Sequence, residues 1–504
     1  MSGHVFVVNG KIEELVHDAA VVPTDSWFTV EKHWEPLLGG KGKRLEPAGW
    51  KGGGFARSVD KSSVWFVDVG DASKASVGPA GLAARLRLLL NEISGAELLP
   101  ADGRVLPLIA LPVLAIGEGG LNHQRGDVIV KLLEALTEFV EHADIDVALV
   151  TPDRAVCAAV QHKRRELKSA SAAGCDEMVT AKTLGELASR GHLALLIGAG
   201  ASIPAGLPSW GELIDLLCEG REPAFVERIR DLDQSPLDQA ELLARVAAGS
   251  LGEAVAKAMD REVRPSLAHA LLAGLRCREA LTTNYDNLYE RAVAAAGTGG
   301  GALGSVPATV GDPVERWLLK MHGSLDDPGS IILTRRDFVQ YDARVKPAAS
   351  VLQAVALTRH MLMVGLSMKD DNVVRLLLEV DEYRKASATV ASTEPFATLL
   401  DVSGDTARAE LWKGQVTWLR MGDGELPESA RELEIFLDAV SMYACQDASW
   451  LLDERFAGML TPSQQALASR SRDLLRDIEK ESGKDDGWSA LANSLKWFGA
   501  PQEQ

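Results

Sequence analysis

Four short segments hold the residues best suited to catalysis or ligand binding. The first is GAGASIPAGLPSW, residues 198–210. Gly198 and Gly200, with Ala199 between them, permit a tight turn and let the backbone approach a pyrophosphate, whose charge the N–H groups of a helix start would face. Ser202 would donate to a phosphate or cap a helix. The second is TTNYDNL, residues 282–288, in which Asn284 and Asp286 either point into one cleft or satisfy the free N–H groups of a helix. The third is KMHGS, residues 320–324. His322 carries the side chain whose ordinary pKa suits proton transfer near neutral pH, or it is a structural histidine. The fourth is VGLSMKDDN, residues 364–372. Gly365 and Ser367 suit a loop beside a ribose, and Asp370 or Asp371 suits a helix cap.

Each segment ends an apolar run. LALLIG (193–198), EALTTNYD (279–286), WLLKMHGS (317–324) and HMLMVGLS (360–367) read as buried parallel strands. The four segments therefore fall at strand C-termini, where open α/β sheets bind ligands. FATLL and QVTWLRM are further strands. WGELIDLLCEG and ESARELEIFLDAVSMYA are amphipathic helices, and residues 222–277 read as mostly helical with a turn at Ser235–Pro236. GTGGGALGSVP (297–307) is glycine-dense, but no strand precedes it and no helix follows, so it reads as a flexible loop.

A separate α/β unit precedes this one. HVFVV, AAVVP, VWFVDV, RVLPLIALPVL and DVALVT read as strands, and residues 76–93 and VIVKLLEALTEFVEHA as helices. The unit ends near Arg165, before a small-residue linker, KSASAAGCDEM. The predicted organisation is an α/β domain over 1–170, a second α/β domain over 183–445 and a helical segment over 446–504. In the last, SWLLDERF and GWSALANSLKWF carry apolar residues that either pack back on the core or form an oligomer contact.

The 504 residues are 46% hydrophobic and 25% charged, with a formal charge of −18. That balance fits globular protein and disfavours direct nucleic-acid binding. No apolar run is long enough for a membrane span, and the N-terminal stretch lacks a basic signal-peptide start, so a cytoplasmic protein is expected. Five cysteines at 157, 175, 218, 277 and 445 are spaced too widely for a metal ribbon.

Together and in this order, the four motifs resemble those of the sirtuin (silent information regulator) family. Its pattern is GAGxS, then N-x-D after a strand, HG after a strand, and a later G-x-S. The wording GLPSW and TTNYD is closer to the sirtuin-like branch of bacterial anti-phage NAD-degrading proteins. The resemblance implies a sirtuin-type, Rossmann-like parallel sheet. It implies NAD as substrate, with Asn284 holding the ribose or the attacking water, Asp286 the nicotinamide carboxamide, and His322 acting as base. Gly198, Ala199, Gly200 and Ser202 would hold the diphosphate, with Gly365 and Ser367 near the adenosine ribose. Two departures stand out. Deacylase members carry Asp-Phe-Arg where this chain has Ser209–Trp210, and they carry zinc cysteines where this chain has none between Cys277 and Cys445. The expectation is thus an NAD glycohydrolase needing no metal. The alternatives are a non-catalytic NAD or ADP-ribose sensor and an NAD-dependent deacylase. An enzyme that depletes NAD must stay silent until infection, so a homo-oligomer or an activating partner (an ATPase, an Argonaute-like protein or a phage component) is expected. Residues 1–165 are similar to macro domains, with Asp18 or Asp25 and the loop of Gly117, Gly119 and Gly120 as the matching positions. VVPTD replaces the usual Asn-rich stretch, so the unit reads either as an ADP-ribose binder or as a non-binding interaction domain.

Overall fold

A computed structural model describes the chain except for residues 51–53, 71–76, 102, 118–119, 170–175, 233–234, 247–248, 262, 298–302, 307–314, 388–393, 482–486 and 502–504. Gly119 and most of the expected linker lie outside the described residues. Asp176 to Met178, also read as linker, already belong to the helix Asp176–Ser189.

The apolar runs form two sheets. The first contains β1 (Val5–Asn9), β2 (Ala19–Thr24), β3 (Phe55–Arg57), β4 (Val64–Asp68), β5 (Leu108–Pro112) and β6 (Asp146–Thr151). Its order is β1-β6-β5-β2-β4-β3, and all its pairs are parallel except β3 with β4. The second contains β7 (Leu193–Ile197), β8 (Glu279–Thr282), β9 (Leu303–Ser305), β10 (Arg316–Lys320), β11 (His360–Val364), β12 (Ala397–Asp401) and β13 (Val416–Arg420). It is wholly parallel, in the order β13-β12-β11-β7-β8-β10-β9. Every residue of β7 is buried, as a central strand covered on both faces requires.

Chain direction makes the second sheet a doubly wound one. From β7 the chain moves to β8 on one side; after β10 it crosses back to β11 on the other. The strand order reverses between β7 and β11, which is where such sheets open a ligand crevice.

The glycine-dense segment read as a loop is corrected in part. Leu303–Ser305 is an edge strand, paired with β10 through Leu303 opposite Arg316. One leucine, one glycine and one serine carry no strand pattern, so the pairing partner alone makes this a strand. The predicted turn at Ser235–Pro236 is the start of the helix Pro236–Val246, with proline in its first turn.

The two units meet on buried charge. The helix Leu426–Ala444 carries Arg431, Glu434 and Asp438 towards the first sheet. Asp438, fully buried, accepts from Arg164 Nη1 at 3.0 Å, from the Val7 amide at 3.1 Å and lies 2.9 Å from His4 Nε2. Asp146, also fully buried, takes Arg431 (Nη2 at 2.8 Å) and Arg104 (Nη2 at 3.0 Å), and Arg104 reaches Glu434 at 2.7 Å. Each ion here has an opposite partner, the condition under which buried charge is tolerated.

The C-terminal segment packs back in part. Trp450 and Phe456 join the apolar core of the first sheet, whereas Trp488 and Trp497 are 57% and 54% exposed. Among the described residues, no helix is long and apolar enough to cross a membrane.

Candidate functional site

The site is built on close backbone approaches between two loops. Gly198 donates its N–H to Val364 O, and Gly200 to Gly365 O at 3.0 Å. Gly365 has a φ of +71°. A Cβ there would sit 2.4 Å from the Ala201 nitrogen, and one on Gly198 would sit 2.4 Å from the Gly365 carbonyl. The loops after β7 and β11 therefore interlock backbone on backbone. Ala199 and Gly200 remain exposed at the rim, where a ligand would meet them.

Inside this rim lies a polar cluster. Thr282 Oγ1 donates to Ile197 O at 2.9 Å and accepts the Asn284 amide at 3.0 Å, which fixes the turn after β8 against β7. Asn284 Nδ2 then donates to Gly198 O at 3.2 Å and to Ser202 Oγ at 3.1 Å. Ser202 Oγ donates to Asp286 Oδ2 at 2.9 Å. Asp286 Oδ1 accepts the Leu288 amide at 3.0 Å, so the helix-capping alternative holds for Asp286 while its other oxygen faces the cluster. Ser202 is buried, and its one proton goes to Asp286, not towards solvent. Lys320 holds the same turn from below, donating to Asp286 O at 2.6 Å and Tyr285 O at 3.2 Å and pairing with Glu290 at 2.8 Å.

His322 follows β10 as Asn284 follows β8, each two residues past the paired Lys320 and Thr282. Its ring stands near Phe338 and Tyr341, with centroids at 5.5 Å and 6.1 Å. Nε2 lies 3.3 Å from Asp370 Oδ2, close enough for Coulombic attraction but not aligned as a hydrogen bond. Burial lowers the His322 pKa, and the Asp370 carboxylate pulls it back up. Asp370 caps the helix Asp371–Ala386 through the amides of Asn372 and Val373, as the sequence suggested. Ser367 is exposed on the rim.

Among the described residues, three buried polar atoms that follow or face these strand ends lack a hydrogen-bond partner: Asn284 Oδ1, His322 Nε2 and Asn372 Nδ2. Buried polar groups are nearly always paired, so atoms left over at one strand end mark a place where a ligand or water completes the bonding. A groove of about 800 Å³ is lined by Ile203, Gly206, Leu207 and Pro208 of the 198–210 segment, by Gly103 and by residues of the following helices. Asn284, Asp286 and His322 do not line it. The groove carries none of the unpaired polar atoms.

Reading the sequence did not single out His269, Lys320 or Asn372. Lys320 stands inside KMHGS and holds the turn through backbone carbonyls, which no residue pattern reveals. His269 has one local signal, a helix-capping serine three residues earlier. In the first unit, Asp18 Oδ2 accepts the Leu108 amide at 2.7 Å at the strand N-termini, away from the ligand end. Asp25 stands at the C-terminal end of β2, where its Oδ1 accepts the Trp27 and Thr29 amides.

Residues 278–416 match the family model described as a SIR2-like domain. The chain is 30% identical over 215 residues to the NAD(+) hydrolase ThsA of Enterococcus faecium, covering 41% of this chain and 43% of that protein. It is 26% identical over 194 residues to NAD(+) hydrolase ThsA of Bacillus cereus, covering 38% and 40%. It is 23% identical over 212 residues to defense-associated sirtuin 2 of Bacillus subtilis, covering 41% and 21%. The chain thus spans less than half the length of these curated relatives. The interlocked glycine loops and the Asn284–Ser202–Asp286 cluster stand at the strand ends of the sheet that holds the matched segment: residues 278–416 match a SIR2-like domain, and the chain is similar over less than half its length to the NAD(+) hydrolases and the defence-associated sirtuin.

Proposed function

We propose that the 183–445 unit hydrolyses NAD, releasing nicotinamide, and that the protein is an effector of bacterial anti-phage defence that depletes NAD once activated. One observation carries this reading. Asn284 presents an unpaired, buried acceptor beside the exposed Ala199–Gly200 rim, at the point where the strand order reverses. The names of the relatives support it, since three matched proteins are NAD(+) hydrolases.

In the reaction the C1′–nitrogen bond breaks and its electron pair leaves with nicotinamide. Water oxygen bonds to C1′, and its proton passes to a base. Positive charge grows on the ribose, so catalysis needs orientation and nearby acceptors. Asn284 Oδ1 is free to accept from a ribose hydroxyl or the attacking water. Asp286 keeps unused lone pairs for the nicotinamide carboxamide. His322, kept neutral by burial, is able to take the proton. In this reading the exposed Ala199–Gly200 rim would face the diphosphate, and Gly365 and Ser367 the adenosine ribose.

The first unit is proposed to be macro-like, with an ADP-ribose-class ligand at the strand C-termini near Asp25 and Gly117. A homo-oligomer or an activating partner, and a cytoplasmic location, complete the proposal. The test is nicotinamide release from NAD by the full chain, alone and with infected-cell extract. Wild type should release it. Asn284→Ala and His322→Ala should each lose release while keeping the wild-type fold by circular dichroism. Turnover unchanged in both variants would end the mechanism, and transfer of an acyl group from a lysine peptide would favour a deacylase.

A further inference from the structure

A fully buried histidine that no step above uses lies behind the polar cluster. His269 sits in the first turn of the helix Leu267–Gly274. The Ser266 amide donates to its Nδ1 at 3.3 Å, and the Ser266 hydroxyl lies 2.8 Å from the same atom. An amide N–H only donates, so Nδ1 is an acceptor and the ring proton sits on Nε2. Nε2 lies 3.4 Å from Ser202 Oγ. The Ser202 proton is already given to Asp286, so Ser202 meets Nε2 with a lone pair. With that tautomer, His269 donates to Ser202, and Ser202 to Asp286, while Asn284 Nδ2 donates to the same serine oxygen. Ser266 Oγ also lies 3.0 Å from Ala201 O, a second acceptor for its single proton, and this contact ties the helix start to the glycine loop.

We propose that His269 is a positioning residue: its Nε2–H fixes the Ser202 hydroxyl, which in turn aims Asp286 and Asn284 at the nicotinamide–ribose end of the substrate. This rests on the NAD-cleaving reading of the site. A histidine that only filled space would need neither nitrogen committed, whereas here one nitrogen accepts from the helix cap and the other faces the reacting residues. Burial lowers the His269 pKa to about 4, against the pull of Asp286, so the ring keeps a single proton and a single donor direction at neutral pH.

The test uses the full chain in its active form. His269→Leu keeps bulk and removes the donor, while His269→Gln retains an N–H near Nε2. His269→Leu should lower kcat about tenfold with KM within about twofold, the pattern of a lost orienting bond. His269→Gln should recover most of that loss. His269→Leu combined with Ser202→Ala should be no slower than Ser202→Ala alone, because His269 acts through the serine. Wild-type kcat in His269→Leu, or losses that multiply in the double variant, would overturn the proposal. A second measurement needs no turnover. In full chain labelled with ¹⁵N-histidine, His269 should show the Nε2–H tautomer, and its Nε2 resonance should move in Ser202→Ala. An Nδ1–H tautomer, or an unmoved resonance, would overturn the relay whatever the substrate. The expected tautomer together with no nicotinamide release by wild type would overturn the NAD reading and leave the relay standing.

Discussion

Gly365→Ala probes the loop interlock on which the site depends. Two costs are separable. The first is conformational: at a φ of +71° a Cβ meets the left-handed penalty, about 1 kcal/mol. The second is steric. The new Cβ would lie 2.4 Å from Ala201 N, 2.8 Å from Gly198 O and 3.0 Å from Gly200 C, all of them backbone atoms that cannot rotate away. Reaching ordinary contact at 3.4 Å means parting the loops by about 1 Å, an overpacking strain of roughly 1–3 kcal/mol. Gly414→Ala is the control, since its φ is +88° and no atom lies within 4 Å of its would-be Cβ. Urea unfolding followed by tryptophan fluorescence should place Gly365→Ala below Gly414→Ala by that steric difference. The same 1 Å would carry Gly198 O away from Asn284 Nδ2, now 3.2 Å apart, beyond hydrogen-bond range. Nicotinamide release should therefore fall at least about tenfold in Gly365→Ala and stay unchanged in Gly414→Ala. Equal stabilities for the two variants would refute the interlock.

Two further outcomes concern charge. Asp438→Asn leaves the buried Arg164 cation uncompensated and should cost about 3–5 kcal/mol in urea unfolding; a loss below about 1 kcal/mol would argue against a buried pair. Burial opposes ionisation of Asp438, but Arg164 and His4 hold its carboxyl below the usual range, so this contribution is complete at neutral pH and fades only in strong acid. His17, His269 and His360 each have a folded pKa lowered to about 4, first by burial. The unfolded chain binds these protons from about pH 6.5, the folded chain only near pH 4. Stability should therefore drop as pH falls through that window, by about 1.4 kcal/mol per pH unit for each histidine. Unfolding midpoints at pH 7 and pH 5 measure the slope, and His360→Gln should make it shallower.

Local sequence determined much of this protein. Apolar runs such as Leu193–Ile197 and His360–Val364 are strands because only a covered parallel sheet accommodates them, and the glycine, asparagine and histidine that end such runs fall at the ligand edge. The acidic pair Asp370 and Asp371 announced a helix start by standing just ahead of an amphipathic run, and the structure makes Asp370 the cap. Other features came only from tertiary structure. Leu303–Ser305 is a strand because β10 offers it an edge. Asp18 and Asp25 looked equivalent until strand direction put them at opposite ends of β2. His269 and Lys320 entered the site because distant backbone and hydroxyl groups turned towards them. Burial of Asp146 and Asp438 between the units needed arginines from separate helices and loops to arrive together. The physical reason is the same throughout: periodicity and capping act over a few residues, whereas hydrogen-bond direction, desolvation and strand pairing depend on neighbours that the chain brings in from far along its length.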